Sequence, residues 1–370
     1  MSWRRQVIDF QHLRRAAACS LLGVISDGKL CIMKLWKTAL CVGLVGVATV
    51  VQAAQPQAVT VYSSRIEALL KPTLDAYTKE TGVKINLLTD RGGSLAERLA
   101  AEGASSPADV LITVDMGNLH NAAERGLLQK MDSPVLNANV PENFRDPGNR
   151  WWGLSQRERT IFYAADRVKP EQLSTYEDLA DPKWKGKLCL RTSKQTYTQS
   201  LVAMMIAKHG VEKAEAITKG WVNNLAGDVF TNDASLLKAI AAGQCDVGIA
   251  NTYYFGRILS KEPEFNQQVK LFWANQGKDE GGAHVNLSGG GVTKHAKNPE
   301  GARKLLEWLS SEKVQTAYTH GTYESPINKK AEEDPVVKAW GKFIPSPLNA
   351  ADIGSRQPEA IKLLDRVGYR

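Results

Sequence analysis

From residue 57 onward the polar and apolar positions alternate between two periods. QAVTVYSS, VKINLLTD and ADVLITVD read as strands, and between them IEALLKPTLDAYTKETG, SLAERLAAEG and GNLHNAAERGLL carry apolar residues at helical spacing. The rhythm pauses at PENFRDPGNRWWGLS, a turn-rich stretch, and resumes with the long strand ERTIFYAADRV. A second series follows: strand KLCLRTS, helices TQSLVAMMIAKHG and AEAITKGWVNNL, a short strand DVFTND, helix SLLKAIAAG and strand CDVGIANTYY. VNLSGGGVTKHA, PEGARKLLEWLSS and a closing helix in SRQPEAIKLLDRVGY keep the α/β character to the end. Strands separated by helices predict a largely parallel sheet covered on both faces, here in two lobes joined near residue 156.

The first 53 residues belong to neither series. MKLWKTALCVGLVGVATVVQA, starting at Met33, has the leading lysines, apolar run and small cleavage-site residues of a secretory signal peptide. Residues 1–32 then read either as an extension upstream of the true start or as a long basic region of one extended signal. No later run approaches the ~20 apolar residues of a membrane span.

Setting 1–53 aside changes the charge. That segment holds seven Lys/Arg and two Asp/Glu, leaving 40 basic against 37 acidic side chains, a net +3 rather than +8. A near-neutral chain with scattered charges points to neither nucleic acid nor a membrane surface. Cys189 and Cys245 alone remain, each in a strand-like run of a chain sent to an oxidising compartment, where they either bridge neighbouring strands or stay as two buried thiols.

In open α/β sheets ligands sit beyond the carboxyl ends of strands. Tyr253 and Tyr254 fall at one such end, and Tyr197 lies in the loop LRTSKQTYTQS at another. Adjacent residues of a strand point to opposite faces, so the tyrosine pair can meet in one place only if the strand has ended. Tyr163, inside ERTIFYAADRV, is explained by packing. Three phenols, deprotonated on binding, match a trivalent metal that prefers hard oxygen donors, whereas the Cys/His spacing of a zinc site is absent. The same trio also suits the aromatic walls of a pocket for an organic ligand.

Other features carry less. LSGGGVTKH lacks the spacing of a phosphate loop, so its glycines are expected to let backbones cross closely. The histidines are scattered, Trp151 and Trp152 suit hinge packing, and no Ser-His-Asp order or catalytic carboxylate pair stands out.

The segments VYSSRIEALLKPTLDAYTKETG, SPADVLITVDMGNLHNAAERGLL, WWGLSQRERTIFY, KLCLRTSKQTYTQSLVAMM and GQCDVGIANTYYFGRI resemble the periplasmic ferric-iron-binding proteins, the solute-binding components of bacterial iron ABC transporters. The resemblance covers nearly the whole chain after the leader. It implies an α/β, two-lobed periplasmic-binding-protein fold (transferrin-like, type II) with a hinge and an interlobe cleft. The lobes expected are 54–156 with 280–328 and 157–279 with 329–370. The implied metal ligands are Tyr197, Tyr253 and Tyr254, holding Fe(III), and the implied partners are an inner-membrane ABC permease and its ATPase, met by a monomer in the periplasm.

Many relatives carry a His-Tyr pair after the first-strand arginine, where this chain has Ile66 and Glu67. Ile66 cannot bind metal, and Glu67 is either a carboxylate ligand or a solvated acid in the first turn of a helix. Relatives lacking the pair complete the iron shell with a synergistic anion, often carbonate, for which Ser63, Arg65, Thr192 and Ser193 are the candidate donors here. Arg157 and Arg257 resemble groups that balance phenolate charge behind the ligands. Two other functions fit the residues taken without the resemblance: a carrier of a small anion or organic solute, and a secreted enzyme using a tyrosine as acid or base.

Overall fold

A computed structural model describes residues 57–370; the leader and the Met33 start lie outside the described residues. The first half lays down β1 (Val59–Ser63), α1 (Glu67–Thr81), β2 (Ile85–Thr89), α2 (Gly92–Glu102), β3 (Val110–Thr113), α3 (Met116–Glu124) and α4 (Pro134–Asn139). β4 (Trp152–Ala164) leads onward to β5 (Leu188–Cys189), α5 (Thr196–His209), α6 (Val211–Asn223), α7 (Asp233–Ala241), β6 (Val247–Asn251), α8 (Thr252–Leu259), α9 (Phe265–Gln268) and β7 (Val269–Phe272). β8 (His284–Val292) is followed by α10 (Pro299–Leu309), α11 (Glu312–Thr322), α12 (Pro335–Lys338), α13 (Ala350–Ser355) and α14 (Gln357–Arg366).

The sheet runs β2-β1-β3-β8-β4-β6-β5, with β7 added on β4. It is mixed rather than largely parallel. β1 pairs parallel with β2 and β3, and β5 with β6, but β8 pairs antiparallel with β3 and β4, and β4 does so with β6 and β7. The βαβ reading describes each end of the sheet; the two strands joining the ends come from long returns that leave no alternating pattern in the sequence. β4 begins against β8, at Trp152↔Gly290, and ends against β6 and β7, so this strand carries the chain from one half to the other.

Why β8 contains three consecutive glycines follows from that crossing. A Cβ on Gly289 would lie 2.6 Å from the Trp152 carbonyl oxygen and one on Gly291 only 2.3 Å from that of Arg150, closer than real contacts allow. β3, β6 and β8 are buried along their whole length, with helices closing both faces. Trp151 and Trp152 are fully buried at the start of the crossover strand. Behind the second half, Phe162 and Phe255 meet edge to face at 5.2 Å within a separate apolar cluster that also holds Leu236, Ile240 and Phe265. Each such side chain contributes on the order of 2 kcal/mol by burial.

Two expected strand boundaries move. DVFTND forms no strand; Phe230 makes an isolated bridge to Arg191 before Asn232 caps α7 through the Ser235 amide. β6 stops at Asn251, and Thr252 opens a helix. α13 packs on both α3 and α5, and α14 on α5 and α6.

Candidate phenol site

The end of β6 is built by a buried ion pair. Asp233 Oδ2 accepts from Arg159 Nη1 at 2.9 Å and from the Asn251 backbone amide at 3.0 Å, which fixes the residue where strand becomes helix. Tyr253 and Tyr254 are therefore the second and third residues of α8, both on its first turn, with ring centroids 4.5 Å apart. Phe255 and Ile258 face the apolar cluster behind, while Tyr254 and Arg257 stay partly open. Arg257 follows by one helical turn, and its guanidinium lies 4.8 Å from the Tyr253 ring centre and 5.9 Å from that of Tyr254.

Tyr197 arrives from the other strand end. β5 runs parallel to β6, pairing Cys189 with Gly248, and the loop after it enters α5, whose second residue is Tyr197. Cys189 and Cys245 are bonded through their sulfurs, tying together the two strands that deliver the tyrosines.

Arg157 joins the two loops. Its Nη2 donates to the Tyr253 oxygen at 2.7 Å and to the Tyr197 oxygen at 3.1 Å, and its Nη1 to the Val114 carbonyl at 2.7 Å. Asn251 Nδ2 adds a donor to the Tyr253 oxygen at 3.3 Å. Burial pushes the Tyr197 phenol up, but the charge of Arg157, hydrogen bonds from Tyr253 and Arg157, and the charge of Arg191 together hold it below its ordinary value. Complete burial pushes the Tyr253 phenol well above its ordinary value despite Arg157, because its neighbours Tyr197 and Tyr254 compete for negative charge. Tyr197 and Tyr253 each stand in the first turn of their helix, α5 and α8.

The sequence reading missed two residues here. Arg191 stacks over Tyr197 at 5.0 Å and Tyr254 at 5.8 Å, with Asp233 3.5 Å from its Nη1. Its place directly after a strand in the tyrosine loop was a signal. Glu324 stands 3.4 Å from Arg157 Nε, and nothing in its surroundings, TYESP, sets it apart.

The expected anion donors lie differently. The Arg65 guanidinium is closed off by Glu324, at 2.9 and 3.1 Å, and by Ser288, and the Ser63 hydroxyl accepts from the Arg65 amide at 3.1 Å. The Thr192 and Ser193 amides donate to the carbonyls of Phe230 at 2.8 Å and Arg370 at 2.9 Å. Glu67 is exposed as the first residue of α1, beside Ile66 at 65% exposure. Among the described residues no group of three His, Cys, Asp or Glu side chains converges to hold a metal, which leaves phenol oxygens as the clustered hard donors.

The halves joined by two crossing strands, with charged and aromatic groups gathered at the strand ends, define a two-lobed solute-binding protein. A family model described as bacterial extracellular solute-binding protein matches residues 62–316. The chain belongs to that family. It is 40% identical over 321 residues to iron uptake protein A1 of Synechocystis sp., covering 85% of this chain and 88% of that protein. The solved FutA of Trichodesmium, in complex with iron and citrate ligands, superposes with a TM-score of 0.80 at 44% identity, over 85% of this chain and all of that one. Apo FutA2 from Synechocystis gives 0.81 at 40% identity, over the same shares. With the mixed α/β sheet, these matches make the fold the expected type II two-lobed one.

Proposed function

We propose that this protein captures Fe(III) in the periplasm, with Tyr197, Tyr253 and Tyr254 as phenolate ligands, and hands it to an inner-membrane ABC permease and its ATPase. The observation that carries the reading is the shared hydrogen bonding of Arg157 Nη2 to two phenol oxygens delivered by different strand ends. Three phenolates cancel the charge of a ferric ion; arginine charge already favours the deprotonated form of Tyr197, and for the buried Tyr253 the metal itself supplies the charge that displaces the proton. Among the described residues no helix is long and apolar enough to cross a membrane, and the relative at 40% identity is an iron uptake protein.

Three phenolates leave part of the iron shell open, so a small oxyanion such as carbonate completes it. In this reading Arg191 and Arg257 meet the anion, with the hydroxyls of Thr192 and Ser193 as further donors, while the Arg65 Nη groups and the Thr192 and Ser193 amides are engaged within the protein. Arg191 Nε and Nη1 are buried without a hydrogen-bond partner among the described residues. Glu67 remains an exposed acid at the positive end of α1. Binding proceeds by closure of the halves on the cargo, and no chemical conversion is part of it. The surplus of arginines also suits a carrier of a small anion without iron, which is the second reading.

Ferric citrate added to the purified metal-free chain separates the two. The ferric reading expects a visible phenolate-to-iron charge-transfer band, lost in the Tyr253→Phe/Tyr254→Phe variant. A colourless titration, or colour that survives the double substitution, overturns it.

A further inference from the structure

Glu324 follows Tyr323, which closes α11 in the left-handed conformation at φ 61°. Its side chain is wholly buried. Both carboxylate oxygens accept from Arg65, Oε2 also accepts from the Ser155 hydroxyl at 2.5 Å, and Oε1 lies 3.4 Å from Arg157 Nε. Arg157 is thereby held on two edges by hydrogen bonds, Nη1 on the Val114 carbonyl and Nη2 on the phenols, while Nε makes no hydrogen bond and faces the carboxylate as an ion pair. A guanidinium is a rigid planar fork, so whatever holds its Nε edge fixes where the far nitrogens point. The neighbouring Tyr323 touches the tyrosines' helix as well, since a Cβ on Gly256 of α8 would lie 2.7 Å from the Tyr323 Cβ.

We propose that Glu324 is a positioning residue of the phenol site. Seated at the end of α11, a helix packed on α1 in the first half, it holds the Nε edge of Arg157 so that the Nη2 edge stays on the oxygens of Tyr197 and Tyr253. It touches neither phenol itself. The proposal rests on the ferric reading, and partners behind a metal's ligands commonly alter retention by about 10–100-fold.

The test uses the full chain loaded from ferric citrate, following loss of the charge-transfer band in excess EDTA, the band maximum and the thermal midpoint. Glu324→Gln is expected to release iron about tenfold faster with a displaced band. Tyr318, whose ring centre lies 5.0 Å from the Arg65 guanidinium, belongs to the same cluster; Tyr318→Phe leaves the Glu324–Arg157 pair in place and is expected to release at the wild-type rate. Where Glu324→Gln fails to fold because Arg65 is left uncompensated, Arg65→Met/Glu324→Gln removes one charge of each sign and is expected to show the same fast release. Wild-type release from either folded Glu324 variant, or equal acceleration by Tyr318→Phe, overturns the proposal. A wild-type chain without a charge-transfer band overturns the ferric reading, and this proposal with it.

Discussion

Two sets of buried arginines sit a short distance apart and differ in how their charge is met. Arg65 faces Glu324 with two hydrogen bonds, and Arg159 faces Asp233 with one, its other bonds going to Asn251 Oδ1 and the Ile249 carbonyl. Each pair is buried and hydrogen-bonded carboxylate to guanidinium, and Glu324 is held down at about pKa 2: burial pushes it up, but the neighbouring Arg65 and Arg157 outweigh burial. Arg157, Arg191 and Arg257 instead lie over phenol rings, with Glu324 and Asp233 at 3.4 and 3.5 Å from the first two and no hydrogen bond to either carboxylate. Burying charge is costly unless it is paired, so guanidiniums that share a carboxylate with another arginine and make no hydrogen bond to it are placed for incoming charge. The hydrogen-bonded pairs build the scaffold; the open set is where ligand chemistry can happen.

The sharpest break of that comparison is removal of the phenols. Tyr253→Phe/Tyr254→Phe is expected to abolish the ferric charge-transfer band while thermal stability changes little, because both rings remain. Colour at the wild-type intensity would remove the open set from any role in binding the metal.

The next prediction concerns the sealed interior. His284 is fully buried beside Ser200, and burial, aided by Arg159, pushes its imidazole down to about 3. The unfolded chain takes up that proton near 6.5, so between pH 6.5 and 3 the unfolded state binds more protons and stability falls as pH falls. The ceiling is on the order of 5 kcal/mol. Urea unfolding of His284→Gln against wild type at pH 7 and pH 4 checks this: the gap between them should narrow on acidification, and a constant gap would refute it.

Reducing the Cys189–Cys245 bond, which spans 56 residues, should cost about 4 kcal/mol by chain entropy. Because it joins β5 to the approach of β6, reduction should also weaken ferric retention, whereas a bond between strands remote from the site would not. Chelator-competition assays with and without dithiothreitol distinguish the two. The smallest effect is expected at Glu67: Glu67→Gln should alter stability by under about 0.5 kcal/mol and iron affinity by under threefold. A tenfold loss in affinity would make it a ligand.

Much of this was legible before any coordinates. Strand ends are marked by where apolar runs stop, and in this architecture ligands collect at strand ends, so Tyr197, Tyr253 and Tyr254 are found from local pattern alone. The glycine run of β8 likewise announced a close backbone crossing. The sheet's antiparallel centre was not legible, because β8 pairs with strands far from it in sequence and its register depends on the completed halves. Arg65 read as a free anion donor for the same reason: its partner Glu324 lies 259 positions away.

What the sequence by itself determined, then, is which side chains stand at the ends of which strands, since that follows from local periodicity and turn chemistry. Only the tertiary structure decided how their charges are shared, because Coulomb interactions depend on distance through space. That sharing closes Arg65 and leaves Arg157, Arg191 and Arg257 on the phenols.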